Sequence, residues 1–216
     1  YEISDGVRRL VSSLPVFGSE ANERDQEVHV DLNHSFSPNK VLNLRLGFDR
    51  YVSLQLSDQA FQDGLLDSIG IEGVQILDGM DEGYPQMEIL GYAGIGAGSG
   101  SSFASPSPES FHQNRYSLSA DYTYVRGEHN LSIGGSFNLS QLNNMRTWGT
   151  RRGQFGFSGQ FTGDAFADFL LGIPYTAARG IGSDRADLRQ QSWRVYLNDS
   201  WKVNGNLTFT MGLAYS

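Results

Sequence analysis

Residues 190–216 alternate between apolar and polar positions almost without a break. Trp193, Val195, Leu197, Trp201 and Val203 fall at one parity, and Ser192, Arg194, Tyr196, Asn198, Ser200 and Lys202 at the other. Past Asn204-Gly205, Leu207, Phe209, Met211, Leu213 and Tyr215 alternate with Asn206, Thr208, Thr210, Gly212 and Ala214. Successive side chains of a strand point to opposite faces, so each arm has one apolar and one polar environment. Asn-Gly suits a two-residue hairpin turn because both residues tolerate positive φ. The pattern predicts a hairpin over 190–216 with arms of about 10 residues, enough for a tilted strand to cross a bilayer.

Two earlier stretches repeat it. Over 27–51, Val28, Val30, Leu32 and Phe36 alternate with Glu27, His29, Asp31, Asn33 and Ser35, and Leu42, Leu44, Leu46 and Phe48 return after a turn at Ser37-Pro38-Asn39-Lys40. Over 113–140, Tyr116, Leu118, Ala120, Tyr122 and Tyr124 run into a turn near Arg126-Gly127-Glu128-His129, and Leu131, Ile133, Gly135, Phe137 and Leu139 return. Residues 1–26 read as an irregular outer loop with Gly6, Pro15 and Gly18 as breakers. Residues 52–112 and 141–189 read as two long outer loops. The first holds one short strand candidate within 86–96 and flexible Gly/Ser/Pro runs at 98–102 and 105–108. The second holds an extended piece at 153–159 and a brief helix over 164–171, capped by Thr162 or Asp164 and stopped by Gly172 and Pro174.

Alternation alone fits a soluble sandwich as well as a barrel wall. The connections favour the barrel: short turns alternate with loops of roughly fifty to sixty residues, as in transmembrane barrels, whereas a sandwich turns every ~8–12 residues. Aromatic residues at strand ends (Phe36, Phe48, Tyr51, Tyr116, Tyr124, Trp193, Trp201, Tyr215) suit interfacial girdles. His34 and Asp199 interrupt the apolar parity, both close to short turns. The fold expected is all-β, an antiparallel transmembrane β-barrel segment of about six spanning strands arranged as three hairpins, with 1–216 forming a partial barrel domain. Six strands are too few to close, so an internal segment of a longer chain is expected. The N-terminal YEISDGVRRL is no signal peptide, and the chain stops within an alternating run, which agrees.

Composition narrows the function. The 216 residues carry a net charge of -8, against nucleic acid as a partner, and no cysteine, against disulfides or thiolate metal sites. The charge is uneven: 52–112 holds nine carboxylates and no Lys or Arg, while 141–189 holds six arginines and four aspartates.

The run GQFGFSGQFTGDAFADFLLGIP (residues 153–174), then Asn198-Asp199-Ser200-Trp201-Lys202-Val203 and Leu207-Thr208-Phe209-Thr210-Met211-Gly212-Leu213, resembles the barrel of TonB-dependent outer-membrane receptors, in particular the Oar-like branch. Arg126-Gly127-Glu128-His129-Asn130-Leu131 followed by Gly134-Gly135 also resembles it, as do residues 22–51 more loosely; 52–112 carries no specific match. Gly-Leu-Ala-Tyr stands where that branch often has Gly-Leu-Arg-Tyr. The resemblance implies a bacterial outer membrane, contact with its lipid, and uptake of an unidentified solute driven by a TonB complex through a plug domain absent from this chain. The other readings are a surface adhesion or scaffold barrel, and a soluble β-sandwich carbohydrate-binding module.

Individual residues add little chemistry. No nucleophile motif, phosphate loop or paired-carboxylate arrangement appears, so no enzyme, catalytic residue or cofactor is expected. Asp78, Asp81 and Glu82 are a candidate hard-cation cluster, but their spacing matches no calcium loop. A second expectation is that the acidic loop docks against the arginines of 146–189. His29, His34, His112 and His129 are scattered without metal-ligand spacing. Phe166, Phe169 and Leu170 form the helix's apolar stripe, expected to pack on the barrel rim. Arg45, Arg115, Arg194 and Tyr196 sit at lumen parity and are expected to pair within the wall.

Overall fold

The computed structural model describes residues 1–11, 17–72, 82–92, 94–96, 108–146, 149–182 and 185–216. Its strands are β1 (Glu2–Leu10), β2 (Ser19–Ser37), β3 (Lys40–Ser57), β4 (Gln86–Ile89), β5 (Glu109–Arg126), β6 (His129–Arg146), β7 (Gln154–Phe157), β8 (Thr176–Ala178), β9 (Arg185–Asn204) and β10 (Leu207–Tyr215). Two short helices, α1 (Leu65–Ser68) and α2 (Ala165–Leu170), and a 3-10 turn at Gly149–Arg152 complete the elements. Seven strands form one antiparallel sheet in the order β1-β2-β3-β5-β6-β9-β10, and β4-β7-β8 form a small second sheet. Within these residues the large sheet is open, with β1 and β10 at its edges.

The register puts every alternating run on one side. Leu44 lies opposite Ala120, Ala120 opposite Gly135, and Gly135 opposite Val195. Leu42, Tyr122, Ile133, Leu197 and Leu213 make a parallel row. Among the described residues nothing covers this face: Ile133, Val195 and Phe209 are 55%, 51% and 54% exposed. The buried apolar cluster instead lies outside the large sheet, at Ile89, Phe157 and Ala165. A sandwich would bury Leu44, Ile133, Val195 and Phe209 together between two sheets, and the soluble-sandwich reading is therefore set aside. From Tyr116 to Tyr124 the apolar face runs about 26 Å along the strand, or about 20 Å at a ~40° tilt, close to the ~25 Å apolar band of an outer-membrane wall. The band also slides. It begins at Val28 on β2 and Tyr116 on β5, but one row lower at Trp193 on β9. Tilted, staggered strands of a barrel require such a drift.

Three expectations about the wall are corrected. Residues 1–26 are not a loop: they contain β1 and the start of β2, so a seventh strand, paired with residues 19–27 of β2 in the crown, joins the six expected to span. The strands are also longer than a bilayer needs, 18 residues in β3 and β5 and 20 in β9. They continue roughly 20 Å past the apolar band as a crown. There both faces are wet, and cross-strand polar pairs such as Arg24–Asp5 (2.6 and 3.1 Å) replace lipid-facing side chains. Third, the last turn is Gly205-Asn206. The Asn204 side-chain carbonyl accepts the Asn206 N–H at 2.9 Å, Gly205 is not at positive φ, and the register shifts after Leu207. Adjacent turns are stitched sideways: Val125 N–H donates to the Asn39 carbonyl at 2.9 Å, and Lys202 N–H to that of Glu128 at 2.8 Å.

Candidate functional site

Three surfaces position chemistry: the lipid-facing band, the lumen-facing wall, and the body formed by the two long loops. On the band, Phe48 meets Tyr116 at 5.1 Å, Phe36 meets Tyr122 at 6.4 Å and Trp193 meets Tyr215 at 4.9 Å. Tyr51, expected among these, faces the lumen instead and lies edge-on to Phe111 at 5.7 Å. The two polar interruptions are both accommodated. His34 packs edge-on against Phe36 at 4.5 Å. Asp199 accepts from His129 Nδ1 at 2.7 Å, and that imidazole stacks on Trp201 at 5.5 Å and 9°.

The lumen face is polar from β2 to β10. Arg45 pairs with Asp31 at 3.5 Å, and the Tyr196 hydroxyl donates to Asp121. That last contact crosses β6 at Gly134, which lies between Asp121 and Tyr196 in register. A Cβ there would come within 2.5 Å of Asp121 Oδ1 and 2.7 Å of the Tyr196 ring, so the glycine is the seat of the pair. Arg115 and Arg194 point to the same side, opposite Asp49 and Ser136. Arg45 and Tyr196 thus pair within the wall as expected of them. A group missed in the sequence lies nearby. His29 Nε2 is 3.3 Å from Asp49 and 3.7 Å from Glu27, with Gly47 beneath the imidazole. The i, i+2 spacing of Glu27 and His29 was its only local signal; Asp49 joins through register. His112 lies on the crown, 3.1 Å from the Ser110 hydroxyl.

The two long loops form one body. β4 pairs in parallel with β7, and β7 pairs antiparallel with β8. Met87, Phe155 and Phe169 pack around Ile89, Phe157 and Ala165. The join includes backbone ladders and apolar contact, Glu88 accepts from the Gln154 amide at 3.3 Å, and the buried Arg152 guanidinium of the second loop lies against Gly83 of the first. Asp78 and Asp81 lie outside the described residues; Glu82 is buried, its carbonyl 3.5 Å from the Ser57 hydroxyl. The helix expected over 164–171 is α2, with Asp164 as its cap, accepting from Ala167 N–H at 2.9 Å. Its stripe does not pack on the barrel rim. Phe169 meets Phe157 at 5.4 Å and Phe166 meets Tyr92 at 5.3 Å, while Leu170 is exposed.

Asp168, unremarked in the sequence, is fully buried and organises the turn before α2. It accepts from the Thr162 hydroxyl at 2.7 Å and from the N–H groups of Thr162 and Phe161 at 2.9 and 3.3 Å. Burial alone would raise its pKa; these hydrogen bonds outweigh that and hold the carboxyl below the usual carboxylate range. The loop body is fixed to the crown through Phe17 and Tyr84 (5.3 Å), through Gln59, which accepts from Tyr84 N–H at 2.9 Å, and through the Arg9–Asp58 pair at 2.7 Å.

A tilted antiparallel sheet with an uncovered apolar face, aromatic residues along it, and a polar opposite face defines a segment of a transmembrane β-barrel wall. The chain belongs to the outer membrane beta barrel domain family, whose model matches residues 5–216, and its place is the outer membrane. Among solved structures it is similar to the outer membrane transporter YddB from Escherichia coli, with a TM-score of 0.51 and 12% identity. That match covers 99% of this chain but 24% of the transporter, and at this identity it speaks for the fold. No curated protein matches the sequence.

Proposed function

We propose that this chain is part of the barrel of a TonB-dependent receptor of the Oar-like kind, and that the whole protein binds and takes up a solute across the outer membrane. The observation that carries the reading is a polar lumen wall joined at its outer end to a folded loop body built from two separate loops. A solute entering from outside meets that body first and then the polar groups of the wall. The run from Gly153 to Pro174, which resembles the Oar-like branch, supplies β7, the Asp168-centred turn and α2 of the body. The role is binding and passage without catalysis. Energy comes from the TonB complex through a plug domain outside these residues, and the lipid partner is the outer membrane itself.

The test uses the full-length protein extracted in detergent and the purified periplasmic domain of TonB. Retention of that domain, strengthened by a solute-rich extract of the growth medium, is expected. A full-length protein that folds as a barrel yet does not retain it refutes energised uptake and leaves a scaffold barrel whose loops bind partners.

A further inference from the structure

We propose that Glu27, His29 and Asp49 form a lumen-facing site for a divalent first-row transition-metal ion such as zinc. Glu27 and His29 are two residues apart on β2 and so share the lumen face, and Asp49 stands directly opposite Glu27 on β3. One ligand atom from each of the three lies within 4.8 Å of the other two. His29 Nε2 is 3.3 Å from Asp49 Oδ1 and 3.7 Å from Glu27 Oε2. Metal–ligand bonds of ~2.0–2.2 Å in tetrahedral geometry place neighbouring ligand atoms about 3.3–3.6 Å apart, a range the two His29 distances already approach, and the two carboxylates lie within 4.8 Å of each other.

Two features of the wall suit a bound cation. Glu27 and Asp49 are like charges placed as a direct cross-strand pair, an arrangement that destabilises a sheet unless a positive group sits between them. His29 also lies over Gly47, where a side chain would crowd the imidazole. A Cβ at Gly47 would stand 3.0 Å from His29 Nδ1 and 2.3 Å from the Ser117 hydroxyl. The imidazole is thereby seated over β3 with Nε2 turned toward the two carboxylates. Arg115, opposite Asp49 on β5, is the cationic neighbour of the cluster and offsets part of its charge. One nitrogen and two carboxylate oxygens suit zinc and its first-row neighbours; three ligands fall short of the six to eight oxygens that calcium takes. The fourth position opens to the lumen, where water or a donor atom of a passing solute completes the shell.

The site is independent of TonB coupling, so it can fail while uptake stands, and the reverse. Full-length protein in detergent is stripped with chelator and dialysed against zinc, and bound metal is counted by mass spectrometry; cobalt is then substituted for its visible spectrum. The wild type is expected to hold one more equivalent than His29→Ala, with tetrahedral cobalt bands that the variant lacks. Asp49→Asn should weaken affinity at least tenfold, and Gly47→Val should do so by displacing the imidazole. Asp31→Asn, at a neighbouring lumen carboxylate, should leave binding unchanged. Each variant is first shown to be a folded barrel by its heat-dependent gel mobility. Equal zinc content in wild type and His29→Ala overturns the proposal, as does displacement of zinc by equimolar calcium.

Discussion

Asp199 is a carboxylate on the lipid-facing side of β9, and its partner can be removed. In His129→Ala the carboxylate loses its 2.7 Å contact, and its other oxygen, Oδ1, is already buried without a hydrogen bond. Leaving a buried acceptor unpaired costs about 1–3 kcal/mol. Loss of the His129–Trp201 stack adds about 0.5–1 kcal/mol. The Asp199 side chain is 20% exposed and that of His129 44%, so water screens much of the charge–charge part and the low end applies. We expect about 1.5 kcal/mol, a roughly 13-fold shift toward the unfolded barrel. Asp199→Leu continues the apolar face and is expected within about 1 kcal/mol of wild type, because replacing a buried polar partner by an apolar group is often neutral. In that background His129→Ala should cost less than about 1 kcal/mol. The assay is urea unfolding of the full-length barrel in lipid vesicles, followed by tryptophan fluorescence. An equal cost of His129→Ala with and without Asp199 refutes the pairing argument.

The two-faced wall predicts that a probe at Ile133→Cys or Leu197→Cys is quenched by lipid-dissolved agents, and one at Ser132→Cys or Asn198→Cys by aqueous ones; the reverse pattern refutes the register. Gly134→Val forces Asp121 and Tyr196 apart and should destabilise the barrel by about 1–3 kcal/mol in the same urea assay. Phe157→Ala removes a buried ring from the loop body and should cost that body about 3 kcal/mol, read as faster proteolysis of both long loops with the membrane wall intact. The folded pKa of Asp168 lies below its unfolded value, so its contribution is full above the ordinary carboxylate range and is lost as pH falls through the lower folded value. Hydrogen exchange near residues 159–172 should therefore rise on strong acidification, and Asp168→Asn should remove that dependence.

What the sequence revealed follows from where water was absent. Lipid touches one face of each spanning strand, so residues such as Val195, Leu197, Ile133 and Leu46 had to alternate with polar neighbours, and the hairpins were legible from that period. Around Arg24, Gln26 and Arg50 the strands rise into solvent, both faces turn polar and the signal vanishes, although the backbone ladder continues. β1 was hidden for the same reason, with Gly6 adding a false break. The short apolar runs that became β4 and β7 were visible, but their pairing was not, because parallel partners so far apart leave no local trace. Helix α2 was readable from Asp164 and Gly172, whereas the packing of Phe169 on Phe157 depends on that pairing. Among lumen groups, Tyr196 and Arg45 were placed by parity, while Asp49 joined His29 only once register was fixed.

The parallel ladder from Gln86–Gln154 to Ile89–Phe157 joins one long loop to the other through main-chain groups. Its hydrogen bonds survive almost any exchange of side chain, so the exposed residues of either loop can change while the joint persists. A length change inside Gln86–Ile89 is another matter, since it would slide one loop past its mate and expose Phe157. Moving these loops means swinging both together as a single plate, or unzipping the ladder before either can move alone.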